Sequence, residues 1–254
     1  MTRQKFSLIH NYLPKTLEIV KKLNNSYKFV EPREAEILVV IGGDGELLRA
    51  LHNYMHLEVP FYGINSGSVG FLMNIPDTVN YVTNIEESIE AHIYPLEMQA
   101  KGRDGNIYTA LAVNEVSVFR HTSQAAKLKI EVDNIERMPE LIADGILIST
   151  PAGSSAYNLS AGGPILPLSS NVLCLTSICS FRPRRWQGAL LPSTSEVKFT
   201  ILENHRRPVN AVADFYQFDD IISVSVKVKN DQVIKLLFDK NHSLRDKVIE
   251  EQFN

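Results

Sequence analysis

The sequence predicts an α/β N-terminal domain with a parallel sheet, followed by a mainly β, β-sandwich-like C-terminal domain. As far as residue 95, short apolar runs alternate with helical patterns, which is the βαβα order of a parallel sheet. From Gln99 onward apolar residues mostly alternate with polar ones, as in half-buried strands. We therefore expect an α/β domain over 1–95, a mainly β domain over 96–240, and a C-terminal helix over 241–254 that packs back on the protein.

The elements follow from the spacing of apolar residues. Ile37–Ile41 is continuously apolar and too short for a helix, which predicts a strand buried on both faces. The other N-terminal predictions are strands over Phe6–Ile9 and Val59–Ile64 and helices over Thr16–Leu23, Glu46–Met55 and Asp77–Ala91. Later strands are predicted over Ile107–Phe119, Leu128–Val132, Val197–Ile201, Ile222–Val228 and Val233–Phe238, and a charged amphipathic helix over His242–Phe253.

Composition excludes several classes of protein. The net charge of -3 gives no general basic surface for nucleic acid, and no apolar run approaches the length of a membrane span. Cys174 and Cys179 have no cluster of further ligands beside them, so we interpret both as reduced, small hydrophobic residues rather than a zinc site. We expect a soluble cytoplasmic protein without nucleic-acid or membrane partners.

The first candidate site is the turn Gly42-Gly43-Asp44-Gly45, between a buried strand and a helix. Glycines let the backbone approach a ligand, and free N–H groups at a helix start favour phosphate. Asp44 could take the proton of an attacking hydroxyl. The alternative is a tight turn with Asp44 as the N-cap of the helix.

A second glycine loop, Gly63 to Leu72, also follows an apolar strand. The amides of Gly67 and Gly70 could line the same cleft as the first turn. The alternative is a plain connecting loop.

Asn114 and Glu115 interrupt a strand pattern. Adjacent strand residues face opposite sides, so both can meet one ligand only at a strand end or a bulge. The amide of Asn114 suits an adenine edge, and Glu115 can accept hydrogen bonds from ribose hydroxyls. The alternative is a polar pair on an edge strand.

The fourth candidate is the segment from Ala143 to Pro164. The acidic turn Asp144-Gly145 leads into a short apolar strand, and a loop of small and hydroxylated residues then enters a helix. Such a loop brings N–H and O–H donors to a ligand. A serine-hydrolase site is excluded because no G-x-S-x-G sequence occurs.

Together these motifs resemble the NAD kinase family in order and approximate spacing. The resemblance rests on Gly42-Gly43-Asp44-Gly45, Asn65…Gly67…Gly70-Phe71-Leu72, Asn114-Glu115, Asp144-Gly145 and Ser149 to Asn158. It implies the superfold of diacylglycerol kinases and phosphofructokinases. It also implies phosphoryl transfer from ATP, or from polyphosphate, to the adenosine ribose 2′-hydroxyl of NAD.

The resemblance also implies roles for individual residues. Asp44 would be the general base. The NAD-binding residues would be Gly45, Asn114, Glu115, Asp144, Ser155, Ala156, Tyr157, Ser160 and, toward the nicotinamide, Asp214. The phosphate and nucleotide loops would include Gly42, Gly43, Asn65, Gly67, Gly70, Phe71 and Ala152.

The family also implies partners. ATP would arrive with Mg²⁺ on its phosphates, without metal ligands from the protein and without a tightly bound organic cofactor. Subunits would form a homo-oligomer, a dimer or tetramer, in which contacts such as that of Asp144 cross to the partner subunit.

Three positions raise questions. Glu46 stands where the family usually has a smaller or uncharged residue, and its charge would repel phosphate unless it points away. Phe215 follows Asp214 in place of the commoner glycine. The basic cluster Arg182-Pro183-Arg184-Arg185-Trp186 is interpreted as solvated surface, with phosphate binding or a subunit contact as alternatives.

Two other functions stay open from the sequence. The chain could be a lipid or sugar kinase of the same superfold, although Asn114-Glu115 and the Ser149–Asn158 loop favour a dinucleotide. It could also be a non-catalytic nucleotide sensor, against which the presence of Asp44 argues.

Overall fold

The structure is a computed structural model that describes residues 5–67, 70–76 and 81–240. The chain divides into two compact units. One contains the described residues up to Ile93 together with those from Val233 onward, and the other is Tyr94–Gln232. The helix predicted over His242–Phe253, and with it the segment 241–254, lies outside the described residues.

Strands and helices occur in the following order along the chain. The strands are β1 (Phe6–His10), β2 (Ile37–Gly42), β3 (Phe61–Asn65), β4 (Ile89–Ile93), β5 (Leu96–Gly102), β6 (Ile107–Ala112), β7 (Glu115–Arg120), β8 (Ala126–Val132), β9 (Ile135–Ala143), β10 (Gly145–Ser149), β11 (Val172–Ile178), β12 (Gly188–Pro192), β13 (Val197–Ile201), β14 (Val209–Ala213), β15 (Tyr216–Phe218), β16 (Ile221–Val228) and β17 (Ile234–Phe238). The α-helices are α1 (Pro14–Ser26), α2 (Asp44–Tyr54), α3 (Tyr81–Glu86) and α4 (Tyr157–Ser160).

The first unit is built on a sheet with the strand order β1-β2-β3-β17-β4. The strands β1, β2, β3 and β17 run parallel, and β4 is antiparallel to β17. Every residue of β2 is buried, as its continuous apolar sequence predicts for a strand covered on both faces. The predicted α/β fold with a parallel sheet is therefore confirmed.

Two sequence predictions for this unit were wrong. The helix predicted over Asp77–Ala91 appears as α3 followed by β4, and residues 77–80 are not described. The strand predicted over Val233–Phe238 exists as β17, but it lies beside β3 in the first sheet rather than in the mainly β domain. Hydrophobic periodicity identifies a strand but not its partner when that partner is far away in sequence.

The second unit contains two six-stranded sheets, with the orders β12-β11-β10-β7-β14-β15 and β6-β5-β16-β13-β8-β9. All pairs within them are antiparallel. One buried core cluster contains Val118 and Ile148 of the first sheet and Leu128 and Phe199 of the second. The mainly β, β-sandwich-like prediction is confirmed.

The single strand predicted over Ile107–Phe119 was wrong. It is two strands, β6 and β7, which belong to different sheets. Val113 and Asn114 lie between them, outside both strands. The chain therefore crosses from one sheet to the other at the Asn114-Glu115 pair.

Within the described part of the chain, every helix is too short or too polar to cross a lipid bilayer.

A buried polar network joins β3 to the end of β17 in the first unit. The Tyr62 hydroxyl donates a hydrogen bond to the Asp239 carboxylate at 2.5 Å. Asp239 N donates to Asn74 Oδ1 at 3.0 Å, and Asn74 Nδ2 donates to the carbonyl of Leu237 at 2.9 Å. A carboxylate that is only 9% exposed depends on such donors for its stability.

Removal of the Tyr62 hydroxyl should therefore destabilise the protein. We expect Tyr62→Phe to lower the free energy of unfolding by about 1–3 kcal/mol, because a buried carboxylate loses a donor. Urea unfolding measures this change. Tyr12→Phe is the control because Tyr12 is 84% exposed. Equal unfolding midpoints for the two variants would contradict the role of this network.

Candidate active site

The glycine turn lies between β2 and α2, at the carboxyl end of a parallel strand. Gly42 ends β2, Gly43 is the N-cap of α2, and Asp44 is the first helical residue. Asp44 is thus not the N-cap, and no side chain caps this helix. Added Cβ atoms at Gly43 and Gly45 would meet nothing within 4 Å, so the backbone of this turn borders open space. Phosphate oxygens are suitable acceptors for its N–H groups.

The Asp44 carboxylate connects the two glycine loops. Its Oδ2 accepts a hydrogen bond from Phe71 N at 2.7 Å, and its Oδ1 accepts one from Leu72 N at 2.9 Å. The strands before these loops are neighbours, with Gly42 opposite Asn65. Two amide donors fix the orientation of the carboxylate, and each oxygen keeps a lone pair for a further donor.

The second loop is shaped by Asn65 and Gly70. Asn65 Oδ1 accepts from Gly67 N at 2.9 Å, and Ser66 N donates to the carbonyl of Gly42 at 2.8 Å. A Cβ at Gly70 would lie 3.0 Å from Met73 and 3.1 Å from Asn65. Glycine at position 70 thus permits close packing, whereas Gly43 and Gly45 of the first turn leave space.

Glu46 packs its aliphatic carbons over Gly42. A Cβ added to Gly42 would lie 2.5 Å from Glu46 Cβ and 2.9 Å from its Cγ. Glycine at position 42 is therefore required by the close approach of the residue 46 side chain, in addition to any role of the Glu46 charge.

In the second unit, Asp214 holds the backbone of the crossover between β6 and β7. Its carboxylate accepts hydrogen bonds from Val113 N at 2.7 Å, Asn114 N at 2.9 Å and Glu115 N at 3.2 Å. Asp214 N donates in return to the Glu115 carbonyl at 3.1 Å. Asn114 lies immediately before β7, at a strand end where adjacent residues can serve one ligand.

The carbonyl side of the same crossover is held by the segment after β10. Thr150 Oγ1 donates to the Val113 carbonyl at 2.7 Å, and Thr150 N donates to the Asn114 carbonyl at 2.9 Å. A Cβ at Gly153 would lie 2.3 Å from the Asn114 carbonyl oxygen. Glycine at position 153 is thus required by this close approach of two backbones.

Glu115 carries an unusual charge state. Burial and, to a smaller extent, the negative charge of Asp214 raise the pKa of Glu115 from 4.5 to about 8. Its Oε2 atom is buried and has no hydrogen-bond partner within the residues that the structure describes. Near neutral pH this side chain is therefore mostly protonated, and it can donate a hydrogen bond as well as accept one.

Asp144 and Tyr157 lie close to this region. Arg120 Nε donates to Asp144 Oδ1 at 2.6 Å, in a pair whose side chains are 36% and 40% exposed. Desolvation raises the pKa of Tyr157, and the charges of Cys179, Glu115 and Asp144 raise it further. Asp144, Glu115 and Tyr157 are thus neighbours within this unit.

The segment after β10 contains the remaining predicted residues. Ser155 and Ala156 are half-buried, Ser160 is exposed and Ala152 is buried. The segment is held by the buried Asn158, whose Nδ2 donates to the carbonyls of Ser154 and Pro164 at 3.1 and 3.0 Å. Asn158 Oδ1 also accepts from Thr176 Oγ1 at 2.6 Å.

The basic cluster lies on the surface of the second unit. Arg182, Arg184 and Arg185 are exposed, while Trp186 is half-buried against the core.

The two cysteines are unpaired and differ in environment: Cys174 is buried and Cys179 is exposed. The interpretation of both cysteines as small hydrophobic residues was therefore wrong for Cys179. No group of three or more His, Cys, Asp or Glu in the described ranges is arranged to hold a metal ion.

Sequence reasoning gave no role to Arg120, Thr150 or Asn158. The partners of Arg120 and Thr150 are distant in sequence, so no local pattern indicates them, whereas Asn158 bonds within its own loop to Ser154 and Pro164. The one available indication was the occurrence of Thr150 and Asn158 within the small-residue loop that carried the resemblance.

One unit is an α/β fold with a carboxylate at a glycine-rich strand end, and the other is mainly β with a loop of small and hydroxylated residues after β10. These features are those expected of a phosphotransferase. Residues 10–94 match the family model of the ATP-NAD kinase N-terminal domain. Residues 113–237 match that of the ATP-NAD kinase C-terminal domain. The chain belongs to the NAD kinase family.

Relatives and solved structures agree with this assignment. The chain is 59% identical over 253 residues to an NAD kinase of Rickettsia felis, covering 100% of this chain and 99% of that protein. It is 58% identical, with the same coverage, to an NAD kinase of Rickettsia africae.

Two solved structures share the fold. Yeast NADH kinase complexed with NADH has a TM-score of 0.80 at 20% identity, covering 98% of this chain and 87% of that one. An NAD kinase from Archaeoglobus fulgidus in complex with ATP has a TM-score of 0.77 at 22% identity, covering 97% and 99%.

The raised pKa of Glu115 predicts a pH dependence of stability. Between pH 4.5 and about pH 8, the Glu115 carboxyl group has lost its proton in the unfolded chain and keeps it in the folded chain. The contribution of protonated Glu115 to the free energy of unfolding is therefore fully present below pH 4.5, and it is lost as the pH rises through about 8. We expect Glu115→Gln to be more stable than the wild type by on the order of 2–4 kcal/mol at about pH 9, and less so toward about pH 5.

Unfolding measured across this pH range tests the prediction. Glu136→Gln is the matched control, because Glu136 is an exposed glutamate on a strand of the same unit. A constant stability difference between Glu115→Gln and the wild type at all pH values would contradict the prediction.

Proposed function

We propose that this chain transfers the γ-phosphoryl group of ATP to the 2′-hydroxyl of the adenosine ribose of NAD, giving NADP and ADP. Family membership and high identity over the full length to proteins named NAD kinase support this activity. The observation that carries the mechanism is the Asp44 carboxylate, which lies at the end of β2 and is oriented by two amide donors.

In this reaction the ribose 2′-oxygen forms a bond to the γ-phosphorus, and the bond from that phosphorus to the bridging oxygen of ADP breaks. The hydroxyl proton passes to Asp44. Because the transition state of phosphoryl transfer is loose, positioning and charge stabilisation contribute most of the rate enhancement. Backbone N–H groups of Gly43 and Gly45 would supply part of that stabilisation, and Mg²⁺ bound to the ATP phosphates would supply further positive charge.

The substrate would be held by side chains of the second unit. Asn114 offers its amide to the adenine edge, and Glu115 offers its carboxyl group to ribose hydroxyls. Tyr157, with Phe119 at 5.6 Å between ring centroids, offers an aromatic face. The remaining nucleotide contacts would come from Asp144, Ser155, Ala156 and Ser160.

The setting of the activity is also a proposal. We place the enzyme in the cytoplasm, which supplies ATP and NAD and keeps thiols such as Cys174 and Cys179 reduced. It would act as a homo-oligomer, a dimer or tetramer, in which Asp144 contributes to the site of a partner subunit.

The direct test is product formation by the purified protein. With NAD, Mg²⁺ and ATP we expect NADP, and parallel reactions with polyphosphate as donor identify the donor class. Diacylglycerol and fructose phosphate serve as alternative acceptors. Phosphorylation of either acceptor without NADP formation would favour the lipid or sugar kinase, and NAD binding without turnover would favour a sensor.

Replacement of the proposed base should abolish most of the turnover. We expect Asp44→Asn to lower kcat by about 10²–10⁴-fold, the usual contribution of a general base, because an amide cannot accept the hydroxyl proton. NAD affinity should change little. Steady-state kinetics and calorimetric titration with NAD measure the two quantities.

Glu46→Gln is the comparison variant, because it neutralises the next carboxylate along the helix. We expect its kcat to stay within a few-fold of the wild type. Near-wild-type turnover in Asp44→Asn would rule out the base assignment, and equal losses in both variants would indicate a general charge effect instead.

A further inference from the structure

The family resemblance suggested a substrate-binding role for Asp214. That role was a contact toward the nicotinamide. In the structure both carboxylate oxygens accept backbone N–H groups, from three consecutive residues. Three amide donors on one carboxylate form a charge-assisted arrangement, stronger than bonds between neutral groups.

The segment that Asp214 holds is the one that presents the proposed substrate-binding pair. Asn114 and Glu115 are adjacent, and adjacent residues within a regular strand project to opposite faces. Val113 and Asn114 lie outside both β6 and β7, so their backbone is free of the strand geometry. Hydrogen bonds that the Asp214 carboxylate accepts on the N–H side, and that Thr150 donates on the carbonyl side, determine it instead.

The side chains of this pair remain available. Asn114 is half-buried, and its side chain makes no hydrogen bond with any residue that the structure describes. Glu115 Oε2 is likewise without a partner there. The backbone of this pair is thus fixed while its polar side-chain atoms are left for a ligand.

We propose that Asp214 is a positioning residue, whose carboxylate fixes the backbone of Asn114 and Glu115 so that both side chains can bind the adenosine half of the dinucleotide. This inference rests on the proposed function. Asp214 would then affect binding of the adenosine half of NAD and not of the nicotinamide half.

Two ligands separate this role from a direct contact. ADP-ribose contains the adenosine half of NAD and lacks the nicotinamide. We expect Asp214→Ala to weaken the binding of NAD and of ADP-ribose by the same factor, roughly tenfold or more, because the binding pair loses its backbone support. Asp214→Asn should lose less, since the amide oxygen still accepts a hydrogen bond.

Asp133→Asn is the matched control. Asp133 also adopts a positive φ, of 53° against 52° for Asp214, and its carboxylate also accepts a backbone N–H, from Glu196 at 2.9 Å. We expect similar changes in melting temperature for the two asparagine variants, but reduced dinucleotide affinity in Asp214→Asn alone.

The pH profile gives a further readout. Asp214→Asn removes one negative charge beside Glu115, whose other titratable neighbour among the described residues is Tyr157. The pH dependence of the KM for NAD should therefore shift to lower pH in Asp214→Asn and not in Asp133→Asn.

The experiment measures calorimetric affinities for NAD and ADP-ribose, with kcat and KM, for the wild type and these three variants. Weaker NAD binding with unchanged ADP-ribose binding would overturn the inference in favour of a nicotinamide contact. Unchanged affinity for both ligands in a folded Asp214→Ala would also overturn the inference. If the alanine variant does not fold, the affinities of Asp214→Asn for the two ligands provide the test instead. Absence of NADP formation by the wild type would instead overturn the proposed function.

Discussion

The hydrogen bonds from three consecutive backbone N–H groups to the Asp214 carboxylate are the constraint on which the proposed substrate-binding pair Asn114-Glu115 depends. They act at the point where the chain leaves one sheet of the β unit and enters the other. A crossover of this kind would leave buried backbone donors unpaired, which is costly unless a side chain accepts them. Asp214 and Thr150 satisfy the donors and the acceptors of this crossover, and so fix the Asn114-Glu115 pair.

In the α/β unit, an aspartate also accepts hydrogen bonds from backbone N–H groups of a loop. Asp44 follows the buried strand β2, and its carboxylate accepts the amides of Phe71 and Leu72 after the neighbouring strand. A rigidly held carboxylate suits a general base, because a proton acceptor must be in place before the transition state forms. In both units an aspartate therefore orders a loop through backbone N–H groups. Asp44 in addition carries the proposed chemistry.

Local signals made part of this structure predictable. The continuous apolar run of β2, the glycine turn and the helix after it follow from residue types within a few positions, and the structure has all three. The mainly β pattern of the second unit was equally local. Conversely, β17 joins the first sheet and β6 separates from β7 because of pairings between distant segments. No window of sequence contains those partners.

The candidate site divides in the same way. The residue types of Asp44, Asn114 and Glu115 indicated polar chemistry, whereas the burial that raises the pKa of Glu115 to about 8 depends on tertiary packing. The ion pair of Arg120 with Asp144 joins residues from different strand ends. Glu46 was expected to matter through its charge. Its packing over Gly42 adds a steric constraint that appears only in three dimensions.

The central claim is that this chain phosphorylates the 2′-hydroxyl of NAD with Asp44 as the base. A crystal structure of the protein with bound NAD tests it most directly. We predict that an Asp44 carboxylate oxygen lies about 2.6–3.2 Å from the 2′-oxygen of the adenosine ribose, the distance of a hydrogen bond that can transfer the proton. An adenosine 2′-oxygen beyond hydrogen-bond distance of Asp44, with another hydroxyl facing that carboxylate, would contradict the claim.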